Sequence, residues 1–160
     1  MKLYNNEEIN YTGCPSCAYA NKEFSLSCGI AYENDNFILN QDWELPIPGF
    51  LIVCPKRHVE KLSELTKAER DEIFDIVDKT INILRKNNIC DRFNVIFEEK
   101  ENIHFHIWIM PRHKWMSDKF GKITKNIDNI FNYAKTNMRT KENFDKINEI
   151  TKIVKREFNK

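Results

Sequence analysis

The sequence lacks any apolar run that approaches the roughly 20 residues needed to span a bilayer, and its first eight residues contain no apolar signal region. These two absences argue against a membrane protein and predict a cytoplasmic one. The chain has 160 residues, of which 41% are hydrophobic and 31% are charged. This composition is ordinary for a single globular domain with its own core.

The sequence also lacks a second CxxC pair to match the one formed by Cys14 and Cys17. There are five cysteines, an odd number, and without an export signal we expect reduced thiols or metal ligands rather than disulfides. Taken alone, the pair fits half of a structural zinc site, a redox pair or a coincidence of spacing. A thioredoxin-like pair should follow a strand, and residues 10–13 do not have the pattern of one.

Positive charge is concentrated near the C-terminal end, although the net charge is only +1. From Pro111 onward the sequence contains 13 Lys+Arg against 6 Asp+Glu. This segment is either a solvated basic helical face or a region that attracts an anionic partner, such as substrate phosphates or an acidic patch on a second subunit.

Hydrophobic periodicity predicts both strands and helices. Thr66 and Glu69 form a capping box in front of a helix that extends to about Lys86, and a second helix is predicted from near Thr140. Apolar runs bounded by turn residues predict strands over residues 28–33, 37–41, 50–54, 93–98 and 103–110.

The strand predicted over residues 103–110 carries two of the four histidines. Its isoleucines and Phe105 share the face predicted to lie in the core, whereas His104, His106 and Trp108 share the other face. The two imidazoles would then stand about 7 Å apart. They are a structural pair with satisfied hydrogen bonds, a chelating pair for a catalytic metal, or a nucleophile with a supporting imidazole.

Residues 104–112 (HFHIWIMPR) resemble the signature of the histidine triad (HIT) superfamily, in which three histidines alternate with apolar residues before Pro-Arg. Residues 48–59 (PGFLIVCPKRHV) are similar to the family segment that joins Gly-His to Pro-Lys-x-His through an apolar run. The resemblance covers about residues 14–113. It implies an α+β, HIT-like fold, in which a long helix packs on an antiparallel sheet of about five strands and C-terminal helices follow. We therefore expect a HIT-like domain over residues 1–113 and a helical extension over residues 114–160, packed on the same domain or on a dimer partner.

The resemblance implies a homodimer that binds a nucleotide or nucleotide conjugate, with nucleic acid not expected as a partner. The implied reaction cleaves or transfers a nucleoside monophosphate group from a phosphate ester, anhydride or phosphoramidate. His106, the middle histidine, would be the nucleophile that takes the nucleotidyl group, and His104 would support it or anchor the neighbouring structure. A backbone carbonyl would fix the tautomer of His106 so that its other ring nitrogen faces phosphorus.

Three departures from the family pattern predict a divergent branch. Trp108 stands at the third histidine position, and because indole offers one N–H and accepts no proton, leaving-group protonation needs another source. Residues 98–102 replace a Gly-rich turn, and within them only Lys100 and Asn102 could favour a phosphate. Phe50 replaces the histidine that usually follows the glycine. The alternative function is a catalytically weak nucleotide-binding or interaction protein with a structural zinc site.

The resemblance also implies a zinc site, because many bacterial members of the family carry CxxC at this N-terminal position. Two histidines complete the site in those proteins, and the matching ligands here are Cys14, Cys17, His58 and His104. Two thiolates and two imidazoles form a closed, structural site. The zinc would tie the N-terminal loop to the sheet and leave His106 for chemistry.

The nucleoside is expected near the first hairpin of the implied fold. Asn40 or Asp42 fits a contact with the ribose hydroxyls. Trp108 either stacks on the ligand or caps the site.

Overall fold

The computed structural model describes residues 1–97, 99 and 103–160. Short 3-10 turns, Leu62–Glu64 and Ile123–Lys125, lie between some of the helices and strands. In chain order the helices and strands are α1 (Pro15–Ala20), β1 (Tyr32–Glu33), β2 (Phe37–Gln41), β3 (Leu51–Pro55), α2 (Lys67–Lys86), β4 (Phe93–Ile96), β5 (Ile107–Pro111), α3 (Lys114–Phe120), α4 (Ile127–Asn137) and α5 (Lys141–Phe158).

The five strands form one antiparallel sheet in the order β1-β2-β3-β5-β4. This confirms the predicted α+β fold with a five-stranded antiparallel sheet. Successive residues of a strand point to opposite faces, and the odd-numbered positions Phe37, Val53 and Ile107 lie in the main core. The opposite face therefore presents even-numbered positions, such as Trp108 in register with Ile52.

Helix α2 begins and ends where the sequence predicts. The Thr66 side chain accepts the backbone N–H of Glu69, and the Glu69 carboxylate accepts the backbone N–H of Thr66, so the capping box is formed. Ile73, Val77 and Leu84 recur at helical spacing and are buried against the sheet.

The C-terminal helices pack on the rest of the same chain. Ile150 and Val154 of α5 are buried in the main core beside α2 and the sheet. Ile130 and Ala134 of α4 are buried in another cluster with Met110 of β5. The C-terminal helices therefore contribute residues to the hydrophobic core. The division of the chain into a domain over residues 1–113 and an extension over residues 114–160 stays a prediction.

Several strand predictions were wrong at their boundaries. The strand predicted over residues 50–54 is shifted by one residue, and Phe97, predicted to lie in β4, follows the end of that strand at Ile96. Residues 28–31 are not in β1, and β5 begins at Ile107 instead of Ile103. The Phe105 N–H donates to the carbonyl oxygen of Val59 in the loop after β3, which replaces sheet pairing at that position. Ile103, predicted to be core, is 38% exposed. Within the described ranges, no helix combines the length and apolar character required to cross a membrane.

Candidate functional site

Four side chains from distant parts of the sequence converge on one point. The Cys14, Cys17, His58 and His104 ligand atoms all lie within 4.8 Å of one another. The Nδ1 atom of His104 is 3.4 Å from the Cys14 sulfur and 3.6 Å from the Cys17 sulfur, and His58 Nδ1 is 3.4 Å from the Cys17 sulfur. The structure thus brings together all four residues of the predicted metal set.

Local structure explains this convergence. Cys14 is the N-cap of α1, and Pro15 starts the helix, so Cys17 lies one turn away on the same side. His58 follows β3 and His104 precedes β5, and these two strands are neighbours in the sheet. The short helix was not predicted from the sequence, although proline at its first position is a recognisable start signal.

The protonation state of His104 is the one that a metal ligand needs. The Nε2–H of His104 donates to the carbonyl oxygen of Pro55 at 2.9 Å, which leaves Nδ1 as the lone-pair nitrogen facing the sulfurs. Burial lowers the pKa of His104 to about 4, so the imidazole is neutral at pH 7, as a metal ligand must be. Burial, together with the neighbouring Cys14, raises the pKa of Cys17 to about 11, so this thiol loses its proton at neutral pH only when a bound cation offsets the charge. Two sulfurs and two nitrogens are the donor set of a structural zinc site.

His106 is oriented by the backbone two residues earlier. Its Nδ1 lies 2.9 Å from the carbonyl oxygen of His104. A carbonyl only accepts, so Nδ1 carries the proton and Nε2 is the basic nitrogen. The two histidines of the segment therefore have different surroundings, one against sulfur and the other against the backbone.

A cavity of about 410 Å³ lies on this side of the sheet. Its walls include His104 and His106 together with Trp108, Ile52 and Asp42. A volume of this size suits a small-molecule ligand. The predicted nucleophile therefore lines the same cavity as Trp108 and Asp42, two of the residues predicted to bind substrate.

The two candidates for the ribose contact differ in position. Asp42 lines the cavity, and its Oδ1 accepts the backbone N–H groups of Glu44 and Leu45 at 2.9 and 2.8 Å. Burial raises the pKa of Asp42 to about 6. Asn40 is fully buried, donates to the carbonyl oxygen of Gln41, and is not among the described residues that line the cavity. Lys100 and Asn102 lie outside the described residues.

Trp108 packs against two other aromatic rings that meet it edge to face. The ring of Phe50 lies 6.0 Å away and that of Phe131 lies 5.5 Å away. Trp108 and Phe50 occupy the two positions where the family resemblance leads one to expect histidine. The two residues that replace histidine therefore pack against each other, and Phe131 of α4 contacts both.

Sequence reasoning missed the contribution of α4 to the cavity, where Phe131 and Lys135 form part of the wall. The two residues are four apart on a helix and so share one face. That spacing was the available signal, but nothing in the sequence indicates that this face of α4 meets β5.

Comparisons with known proteins identify the family and the fold. The HIT domain matches residues 24–115, more than half of the chain, and the protein belongs to the HIT family. An uncharacterized HIT-like protein of Methanocaldococcus jannaschii is 28% identical over 123 residues, which cover 72% of this chain and 92% of that protein. A bis(5'-adenosyl)-triphosphatase of Dictyostelium discoideum is 26% identical over 87 residues, covering 51% of this chain and 58% of the enzyme.

Solved structures share the fold. A zinc-bound histidine triad family protein from Mycobacterium smegmatis has a TM-score of 0.63 at 16% identity, covering 91% of this chain and 93% of that chain. A hypothetical histidine triad nucleotide-binding protein from Sulfolobus tokodaii has a TM-score of 0.65 at 20% identity, covering 91% and 92% of the two chains.

Proposed function

We propose that the protein binds a nucleotide or nucleotide conjugate in the 410 Å³ cavity and transfers its nucleoside monophosphate group to His106. The observation that carries this proposal is the contact between His106 Nδ1 and the His104 carbonyl oxygen, since it makes Nε2 the nucleophilic nitrogen. The name of the Dictyostelium relative, a triphosphatase acting on a bis-adenosyl substrate, supports this substrate class.

The reaction proceeds in two displacements. Nε2 of His106 attacks the phosphorus and forms a P–N bond, while the bond from phosphorus to the leaving oxygen breaks and that oxygen keeps the electron pair. Water then attacks phosphorus, the P–N electrons return to Nε2, and a nucleoside monophosphate leaves as the water releases a proton. The fixed tautomer would present Nε2 to the phosphorus of a ligand bound in the cavity, and positioning of this kind raises the rate.

Trp108 makes departure of the leaving group the slow step of the proposed reaction. Its indole accepts no proton, and its one N–H is the only hydrogen-bonding group it can offer to a leaving oxygen. The leaving oxygen therefore takes its proton from solvent, and good leaving groups are favoured. The alternative function, a nucleotide-binding protein with faded catalysis, follows from the same substitution.

The cluster of Cys14, Cys17, His58 and His104 is the proposed zinc site. Bound zinc would be structural, since four protein ligands close the coordination shell. The Mycobacterium protein that shares the fold is described as zinc-bound, which supports the choice of metal. Because His104 Nδ1 faces the two sulfurs and His106 Nδ1 faces a carbonyl, these histidines do not converge as the chelating pair of a catalytic metal.

The proposed assembly is a homodimer through β4. In the described part of the chain β4 is an edge of the sheet, and Val95 and the following Phe97 are 43% and 42% exposed. An apolar edge strand is a ready template for pairing with another chain.

The test is a substrate panel of dinucleoside polyphosphates, nucleoside phosphoramidates and nucleotide sugars. We expect turnover of at least one class by the wild type and none above background by His106→Ala. His113→Ala is the matched control, because His113 lies outside this cavity and hydrogen-bonds the Pro48 carbonyl oxygen. Turnover that survives in His106→Ala would contradict the proposal, and tight mononucleotide binding without turnover of any class would favour the alternative.

A further inference from the structure

One wall of the cavity comes from α4, which lies beyond the segment matched to the HIT domain. Phe131 and Lys135 project from the same face of this helix and both line the cavity. Among the described lining residues Lys135 is the only lysine or arginine. The wall formed by α4 therefore supplies a basic side chain to the cavity.

Lys135 is held at the cavity by a carboxylate that a ligand can replace. Its Nζ is 2.5 Å from the carboxylate of Glu44, which also lines the cavity. The two side chains are 44% and 43% exposed, and ion pairs at such exposure contribute little to stability. A ligand oxyanion can therefore take the place of Glu44 at small cost.

Arg139 fixes the backbone around this pair. Its guanidinium donates to the carbonyl oxygens of Glu44 at 3.0 Å and Lys135 at 3.1 Å, and also to that of Leu3. These hydrogen bonds join α4 to the loop after β2 and to the N-terminal segment. Lys135 is thus presented from a braced helix, and Arg139 itself is occupied by the backbone.

The same helix face covers the residues that depart from the family pattern. Phe131 packs on both Phe50 and Trp108, where the resemblance leads one to expect histidines. Those substitutions remove two groups able to carry positive charge. One turn along α4, Lys135 places a cation in the same cavity.

We propose that Lys135 is a specificity-determining residue that binds a phosphate group of the ligand, with Glu44 as its counter-ion when no ligand is present. This inference rests on the proposed function and assigns a role to the C-terminal helix in that same site. The chemistry recognised is a phosphate monoester or a phosphate within an anhydride.

The test compares uncharged and phosphorylated ligands by calorimetric titration. The probes are adenosine and guanosine with their 5′- and 3′-monophosphates, so that the two phosphate positions are distinguished. Lys135→Gln should weaken binding of at least one monophosphate about tenfold while leaving the nucleoside unchanged, because a charge-assisted contact is lost. Lys135→Arg should restore most of the affinity, and Glu44→Gln should strengthen monophosphate binding by freeing Lys135.

Lys141→Gln is the matched control, since Lys141 also forms an exposed ion pair, with Asp145, but does not line the cavity. Equal weakening of nucleoside and monophosphate by Lys135→Gln, or no change in either, would overturn the inference while the proposed function stands. A wild type that binds none of the six probes would overturn both.

Discussion

His104 and His106 are two positions apart, yet their Nδ1 atoms face different partners. His104 Nδ1 lies 3.4 Å from the sulfur of Cys14, whereas His106 Nδ1 lies 2.9 Å from the carbonyl oxygen of His104 itself. The residue whose side chain lies beside the cysteines therefore also orients the His106 ring, through its backbone carbonyl. The proposed zinc site and the proposed nucleophile therefore use histidines only two positions apart, and each proposal can be tested separately.

The proposed zinc site predicts that metal content and stability change together. Cys17→Ser should abolish bound zinc in elemental analysis and lower the melting temperature by about 10 °C, equivalent to about 3 kcal/mol for a chain of this size. Cys90→Ser is the control, because Cys90 lies outside the cluster and its sulfur contacts the Arg92 carbonyl oxygen. Unchanged zinc content in Cys17→Ser would contradict the assigned ligand set.

The buried carboxyl of Asp42 predicts a specific pH dependence of stability. Its pKa is 3.8 in the unfolded chain and about 6 in the folded protein, raised by burial. The folded state therefore binds the proton more tightly, so this contribution is complete below pH 3.8 and is lost as the pH rises through 6.

Asp42→Asn keeps the oxygen that accepts two backbone N–H groups and removes the titration. The free energy of unfolding of the variant minus that of the wild type should be higher at pH 7 than at pH 4 by on the order of 2 kcal/mol, because only the wild type loses the contribution of the protonated carboxyl. Urea denaturation of both proteins at the two pH values measures this, and a difference that does not vary with pH would be evidence against the shifted carboxyl.

Replacing Trp108 with histidine should raise turnover and lower stability. Trp108→His should increase turnover, because an imidazole can protonate the leaving oxygen. The same change should reduce the free energy of unfolding by roughly 2 kcal/mol, since contacts with Phe50 and Phe131 are lost. Steady-state kinetics with thermal denaturation checks both effects, and equal turnover by the two proteins would mean that proton donation is not limiting.

The exposed edge of the sheet predicts how the protein assembles. Val95→Glu should convert a dimer into a monomer in light scattering coupled to size exclusion, because charge on an edge strand opposes pairing. Phe74→Glu is matched to it, since Phe74 is 44% exposed but lies on α2. A dimer that persists in Val95→Glu, or that dissociates only in Phe74→Glu, would place the interface elsewhere.

The sequence was most informative where chemistry is local. The capping box predicted the start of α2, and short apolar runs bounded by turn residues predicted β2 and β3, because each signal depends on a few neighbouring residues. The family motif led to all four residues of the cysteine–histidine cluster, which are far apart in sequence.

Tertiary packing decided what local patterns could not. Ile103 follows the alternation of the predicted strand, yet it lines the cavity because β5 starts four residues later. In the sequence, Phe131 and Lys135 are simply two residues on one face of a helix. Only the structure shows that this face of α4 contacts Trp108. Asn40 and Asp42 were equivalent candidates in the sequence, and only the fold shows that Asp42 lines the cavity, whereas the buried Asn40 is not among its described lining residues.

The most direct test is to trap the covalent intermediate. Brief exposure to a substrate that turns over, followed by digestion without acid and mass spectrometry, should locate an acid-labile nucleoside monophosphate adduct on the peptide containing His106. The proposed mechanism predicts that fragmentation places the added mass on His106 and that His106→Ala yields no adduct. An adduct on another residue, or turnover in which no adduct forms under trapping conditions, would contradict it.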